Sequence, residues 1–111
     1  MRFTVLSSGS KANCTVVEAA GKRLLIDCGL SGKQAEERLR SVGIAPESLH
    51  AILVTHEHQD HINGVATLSR RYGLPVYANE RTMERIKKPR GREVFKTGED
   101  FCVGPVEVTP F

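Results

Sequence analysis

Three histidines and two carboxylates stand within six residues, His56-Glu57-His58-Gln59-Asp60-His61, and the residues on either side restrict what can hold them. Before them, Ala51-Ile52-Leu53-Val54 is a short continuous apolar run, the pattern of a strand buried on both faces. After them, Ile62, Val65, Leu68 or Ser69, and Tyr72 fall at helical spacing, and Gly73 followed by Pro75 closes the helix. The cluster is therefore expected at a strand-to-helix junction.

The rest of the chain supplies the frame. Arg2 to Leu6, Cys14 to Glu18 and Arg23 to Asp27 are β-branched or aliphatic runs separated by Ser7-Ser8-Gly9-Ser10 and Ala20-Gly21, and they read as three successive strands. Ser31 can cap a helix from about Gly32 to Val42, with Ala35, Leu39 and Val42 on one face and Gly43 as its stop. Pro75 to Tyr77 is a short strand, Asn79 caps a helix through about Ile86, and Lys88 to Gly91 is a loop. Glu93 to Phe95, Phe101 to Val103 and Val106 to Val108 follow as strands. An all-strand opening followed by alternating helices and strands suggests a layered α/β sheet packed by helices.

Composition narrows the class. A chain of 111 residues makes one domain at most, and 40% hydrophobic with 26% charged residues is ordinary for a globular protein, so disorder and membrane spanning are both poor readings. Arg2 to Leu6 is strand-like and has no cleavage site behind it, so no export signal is expected. The three cysteines, Cys14, Cys28 and Cys102, are odd in number and form no Cys-x-x-Cys pair; neither a disulfide framework nor a thiolate zinc site is suggested, and a cytoplasmic setting fits. Cys14 and Cys28 read as small buried thiols. A net charge of +3 permits an anionic partner such as nucleic acid without requiring one.

In a tight loop the side chains of His56 and His58 can converge on one point, while Asp60 and His61, entering the helix, address a second point nearby. Two neighbouring metal sites need that division, and neutral imidazoles with a carboxylate are ligands that zinc, manganese or iron(II) accept. The alternative is a polar loop in which Asp60 caps the helix. Capping needs one such residue, and the cluster has four. Glu57 and Gln59 read as outward-pointing spacers, and the isolated His50 as a surface or hydrogen-bonded histidine outside the site.

Thr55-His56-Glu57-His58-Gln59-Asp60-His61 resembles the His-x-His-x-Asp-His signature of the metallo-β-lactamase-fold superfamily. Leu24-Leu25-Ile26-Asp27-Cys28-Gly29 resembles the strand and aspartate-glycine turn that precede that signature. Leu6-Ser7-Ser8-Gly9-Ser10-Lys11-Ala12-Asn13, with Gly29-Leu30-Ser31, is similar to a bacterial branch, the YycJ/WalJ type, described as DNA exonucleases; that branch commonly has glycine where Ala12 stands.

The resemblance implies an α/β fold of the αββα sandwich type, of which residues 1–111 form only the N-terminal half. It implies two divalent metal ions, zinc or manganese or else iron, with His56 and His58 on the first and Asp60 and His61 on the second. Asp60 would also orient the nucleophile, Asp27 would brace the ligand loop from behind, and Ser10 and Asn13 are near-site candidates. The family's later histidines and bridging aspartate are absent, and Val106 to Phe111 resembles the strand that leads to the third histidine. A chain truncated there would bind metal weakly and turn over little.

With a full ligand set, two metals would lower the pKa of a bridging water and hold the hydroxide against a scissile phosphorus or carbonyl. DNA is the implied substrate. A basic tract, Arg81, Arg85, Lys87, Lys88, Arg90 and Arg92, could neutralise backbone phosphates, although Glu80, Glu84 and Glu93 make a solvated face an equal reading. The alternatives are a hydrolase of thioesters, lactones or cyclic phosphodiesters on the same fold, and a non-catalytic metal-binding module. Neither a protein partner nor an oligomeric state can be inferred, and antibiotic hydrolysis is not expected.

Overall fold

Leu24, Leu25 and Ile26 alternate between the two faces of a strand, and both faces are apolar, so the strand needs cover on each side. The computed structural model, which describes residues 1–8, 12–55, 59–96 and 98–109, and only the backbone of Gln59 and Asp60, supplies that cover with two unlike layers. Strands β1 (Arg2–Ser7), β2 (Cys14–Ala19), β3 (Lys22–Ile26), β4 (Ala51–Leu53), β5 (Pro75–Ala78) and β6 (Gly91–Val94) form one sheet in sequence order. The pairs β1–β2 and β2–β3 are antiparallel, and the pairs from β3 to β6 are parallel. Ala20 (φ 51°) and Gly21 (φ 76°) make the two-residue turn between β2 and β3, both in the left-handed region that a tight hairpin demands.

One face of the sheet packs against helices α1 (Gly32–Ser41), α3 (Val65–Tyr72) and α4 (Glu80–Met83). Leu25, Ile52 and Val76 meet Ala35, Leu39, Val65 and Leu68 there in a continuous core. The opposite face carries Leu24, Ala51 and Leu53, covered by a hairpin of β7 (Phe101–Val103) and β8 (Val106–Val108). Every residue of β4 is buried, which explains its unbroken apolar run.

The helix ends follow local chemistry. Ser31 and Gln34 form a reciprocal capping box at the start of α1. At its end Gly43 turns left-handed (φ 77°), Gly43 N–H donates to the Arg40 carbonyl and Ile44 N–H to the Leu39 carbonyl. That closure corrects one expectation: Val42 falls outside the helix and is 47% exposed, and Ile44 takes its place in the core.

The helix expected to run from the histidine cluster to Tyr72 is two helices, α2 (Gln59–Ile62) and α3, broken at Asn63-Gly64. Gly64 lies so close to the β3–α1 loop that a Cβ would come 2.4 Å from the Leu30 carbonyl oxygen and 3.0 Å from Gly32 N. The last strand of the sheet is Gly91–Val94, not Glu93 to Phe95, because its parallel register against β5 pairs Pro75 with Gly91 and Ala78 with Val94.

Candidate metal centre

Asp27 follows β3 and Thr55 lies two residues beyond β4, so parallel pairing of these neighbours brings both to the same edge of the sheet. Asp27 N–H still donates to the Leu53 carbonyl at 2.8 Å. Its backbone then turns left-handed (φ 61°), a conformation aspartate tolerates better than most residues. The carboxylate, 5% exposed as a residue, is fully engaged. Oδ1 accepts the Thr55 backbone N–H at 2.7 Å, and Oδ2 accepts the Thr55 hydroxyl at 2.6 Å. Oδ2 also lies 2.7 Å from His61 Nδ1.

That last contact selects the tautomer of the neutral imidazole. An ionised carboxylate can only accept, so Nδ1 carries a proton, and in the neutral ring Nε2 is then the nitrogen with the lone pair. The Asn13 side chain agrees, since its amide nitrogen, a donor, lies 3.4 Å from His61 Nε2. A neutral imidazole held from behind by a carboxylate is the form in which histidine ligates a metal.

Backbone bonds stitch three loops around this pair. Cys28 N–H donates to the His61 carbonyl at 2.7 Å, Gly64 N–H to the Cys28 carbonyl at 2.9 Å, and Gly29 N–H to the Asn13 carbonyl at 2.9 Å. Beneath them Cys14 and Cys28 are buried. The Cys28 thiol beside it, burial and the charge of Asp27 together push the Cys14 thiol far up, which leaves it a packing group and not a nucleophile.

Of the residues singled out from sequence, Asp27, Asn13 and His61 therefore come together. His56, His58 and Ser10 lie outside the described residues, as does the side chain of Asp60. The Asp60 backbone sits inside the first turn of α2, so the alternative in which it caps that helix does not hold. Among the described residues no group of three or more histidine, cysteine or carboxylate side chains could hold an ion; His61, braced at Nδ1 by Asp27, fits a metal ligand. His50 stays out of the site, its Nδ1 accepting the Arg23 backbone N–H at 3.0 Å.

Sequence reasoning passed over Thr55 and Gly64. Thr55 gave no signal of its own, and an isolated glycine within a helical period lowers the case for an unbroken helix without naming the neighbour that needs it.

The basic tract divides. Lys87, Lys88 and Arg90 lie just before β6, at the edge where the parallel strands β5 and β6 begin, opposite to Asp27 and Thr55. Arg70 and Ser69 of α3 fasten that loop, through the Lys87 carbonyl and the Arg90 N–H. Arg81, by contrast, is on α4 at the end of β5, and with Lys96 and Phe95 it lines an open groove of about 670 Å³ that also carries Glu80 and Glu84.

Residues 8–109 match the sequence profile of the metallo-beta-lactamase superfamily. The chain belongs to that superfamily. Among its relatives, exodeoxyribonuclease YycJ of Bacillus anthracis is 40% identical over 117 residues, which cover 100% of this chain and 44% of the relative. Exodeoxyribonuclease WalJ of Streptococcus pneumoniae serotype 2 is 37% identical over 118 residues, covering 99% of this chain and 44% of the relative. The chain thus spans less than half the length of these superfamily members. A solved B3 metallo-beta-lactamase with an active-site glutamic acid superposes with a TM-score of 0.77 at 23% identity, over 96% of this chain and 47% of that one. This likeness concerns the fold alone, and it agrees with half of the metallo-beta-lactamase architecture.

Proposed function

We propose that this chain is the N-terminal part of a metal-dependent hydrolase that cleaves phosphodiester bonds at DNA ends, an exodeoxyribonuclease. The observation that carries the reading is the Asp27–His61 pair, 2.7 Å apart, whose histidine is the last residue of the His-x-His-x-Asp-His sequence. The names of the two relatives at 40% and 37% identity direct it to DNA.

In this reading His56 and His58 hold one divalent ion and Asp60 and His61 the other, zinc or manganese, and the remaining ligands come from sequence beyond residue 111. Bound there, the ions would supply Lewis acidity and an ionised water nucleophile at neutral pH. The chain's own residues do the rest. Asp27 keeps the proton on His61 Nδ1, Asp60 orients the nucleophile, and the Asn13 amide stands beside His61 Nε2 as a donor for a substrate oxygen. Arg81 and Lys96, at the site edge of the sheet, neutralise strand phosphates. A cytoplasmic setting belongs to the same reading, since the free thiols Cys14, Cys28 and Cys102 and a DNA substrate both suit it. Among the described residues no helix is long and apolar enough to cross a membrane.

The test is nucleotide release from end-labelled single- and double-stranded DNA by the protein read through to its natural stop codon and loaded with manganese or zinc. Progressive shortening that disappears in His58→Ala is the expected result. DNA ends left intact, with turnover of thioester, lactone or cyclic phosphodiester substrates, would replace the nuclease with a small-molecule hydrolase. No turnover of any of these would leave a binding module.

A further inference from the structure

The Asp27 carboxylate meets three donors, and two of them belong to one residue. Thr55 gives its backbone N–H to Oδ1 and its hydroxyl to Oδ2, so it grips both oxygens of the carboxylate at once. That grip matters because the terminal torsion of an aspartate is broad and has no deep wells of its own. With only the backbone N–H on Oδ1, the carboxylate could turn about that contact and carry Oδ2 away from the imidazole. Thr55 itself is stiff, since β-branching restricts its χ1. It also directly precedes His56, so the clamp ties the start of the ligand sequence to the carboxylate under its last histidine.

We propose that Thr55 is a positioning residue for His61: its hydroxyl, 2.6 Å from Asp27 Oδ2, fixes the oxygen that accepts the His61 Nδ1–H and so leaves the lone pair on Nε2. Free neutral imidazole of histidine favours the proton on Nε2, so the Nδ1-protonated form that the 2.7 Å contact with Asp27 calls for has to be imposed. Asp27 imposes it, and Thr55 holds Asp27 in the orientation that does so. The purpose of this arrangement rests on the metal reading above, but the arrangement itself requires neither metal nor DNA.

The protonation pattern of the His61 ring can be read directly by long-range proton–nitrogen correlation spectroscopy on the nitrogen-15-labelled, metal-free protein, in which protonated and unprotonated ring nitrogens resonate far apart. The wild type is expected to show Nδ1 protonated and Nε2 bare. Thr55→Val keeps the branched shape without the hydroxyl and is expected to show two nitrogens averaged between the two states. Thr55→Ser, which keeps the hydroxyl, is expected to restore the wild-type pattern.

A folded Thr55→Val protein with the wild-type pattern overturns the inference. If the valine variant fails to fold, the comparison of Thr55→Ala with Thr55→Ser decides the same question in the same way.

Zinc affinity of the protein read through to its stop codon, measured in competition with a chromophoric chelator, gives an independent readout. Thr55→Val is expected to bind about tenfold more weakly, the low end for partners behind a ligand. Added to Asp27→Asn it is expected to cost nothing more, because both changes break one connection. Equal affinities for wild type and Thr55→Val, or full additivity with Asp27→Asn, contradict the proposal. Failure of the DNA assay alone leaves the ring pattern and the zinc ratios untouched, so the two readings fail separately.

Discussion

Asp27 combines a left-handed backbone, a buried carboxylate and three hydrogen bonds at one position, and its replacement exposes how much rests on it. Asp27→Ala strands a buried donor, at about 1–3 kcal/mol, and places a Cβ without a compensating polar group in the left-handed region, at about 1–2 kcal/mol. The expected loss in urea unfolding is therefore roughly 3 kcal/mol, and Asp27→Asn, which keeps the shape and tolerates the backbone, loses less. A loss under about 1 kcal/mol for the alanine variant would contradict this assignment. Cys14 sets a pH dependence of its own. Its neighbouring thiol and its burial raise its pKa above the ordinary thiol value of 9.0, so the native chain keeps a proton that the unfolded chain gives up. Stability from this group is complete below that value and falls as pH rises above it. Alkaline unfolding is expected to shift to higher pH in Cys14→Ala relative to its neutral-pH stability, and an unchanged alkaline limb would argue against the linkage.

At the scale of elements, the break between α2 and α3 is the feature that joins fold to site. Gly64 allows α3 to approach the β3–α1 loop, and that approach is what lets the Cys28 N–H reach the His61 carbonyl. A methyl group at 2.4 Å from the Leu30 oxygen meets backbone that cannot yield, so Gly64→Ala is expected to cost about 2–3 kcal/mol, as overpacking does. Its amide shifts should change at Cys28 and His61, and an unperturbed spectrum would show that the contact is dispensable. Much at this scale was legible in the sequence where the cause is local. Ser31 and Asn79 cap their helices, Gly43 and Gly73 end theirs with positive φ, and the apolar run Ala51 to Leu53 is buried throughout. The misses have tertiary causes. Periodicity carried the helix through Gly64 because nothing in the local pattern announces the Leu30 carbonyl, and it put Val42 in the core because the closing turn at Gly43 hands that place to Ile44. The edge strand β6 takes its bounds from its pairing with β5. Asp27 and His61 were legible as candidates, while Thr55, the residue that grips Asp27, became visible only once parallel pairing of β3 and β4 brought it to the carboxylate.

At the scale of the whole molecule, the six-stranded sheet carries two kinds of cover, helices on one side and the β7–β8 hairpin on the other, and the candidate centre sits where the parallel strands end. A Cα radius of gyration of 12.5 Å is that of a compact domain of about 100 residues, for which about 13 Å is usual. Charge is distributed unevenly with respect to the site. Arg81→Ala or Lys96→Ala in the protein read through to its stop codon is expected to lower the slope of log DNA affinity against log salt by about 1 each. Lys87→Ala and Lys88→Ala, at the far edge of the sheet, should leave the slope unchanged, and the reverse ranking would move the DNA track to the other edge. The hydrolase reading depends on the histidine-rich junction holding metal. Native mass spectrometry of the same protein in zinc tests that most directly: two ions per chain are expected, with loss of at least one in His58→Ala and in His61→Ala. A protein that binds none, or that keeps both ions in these variants, would contradict the assignment of the centre to His56 through His61.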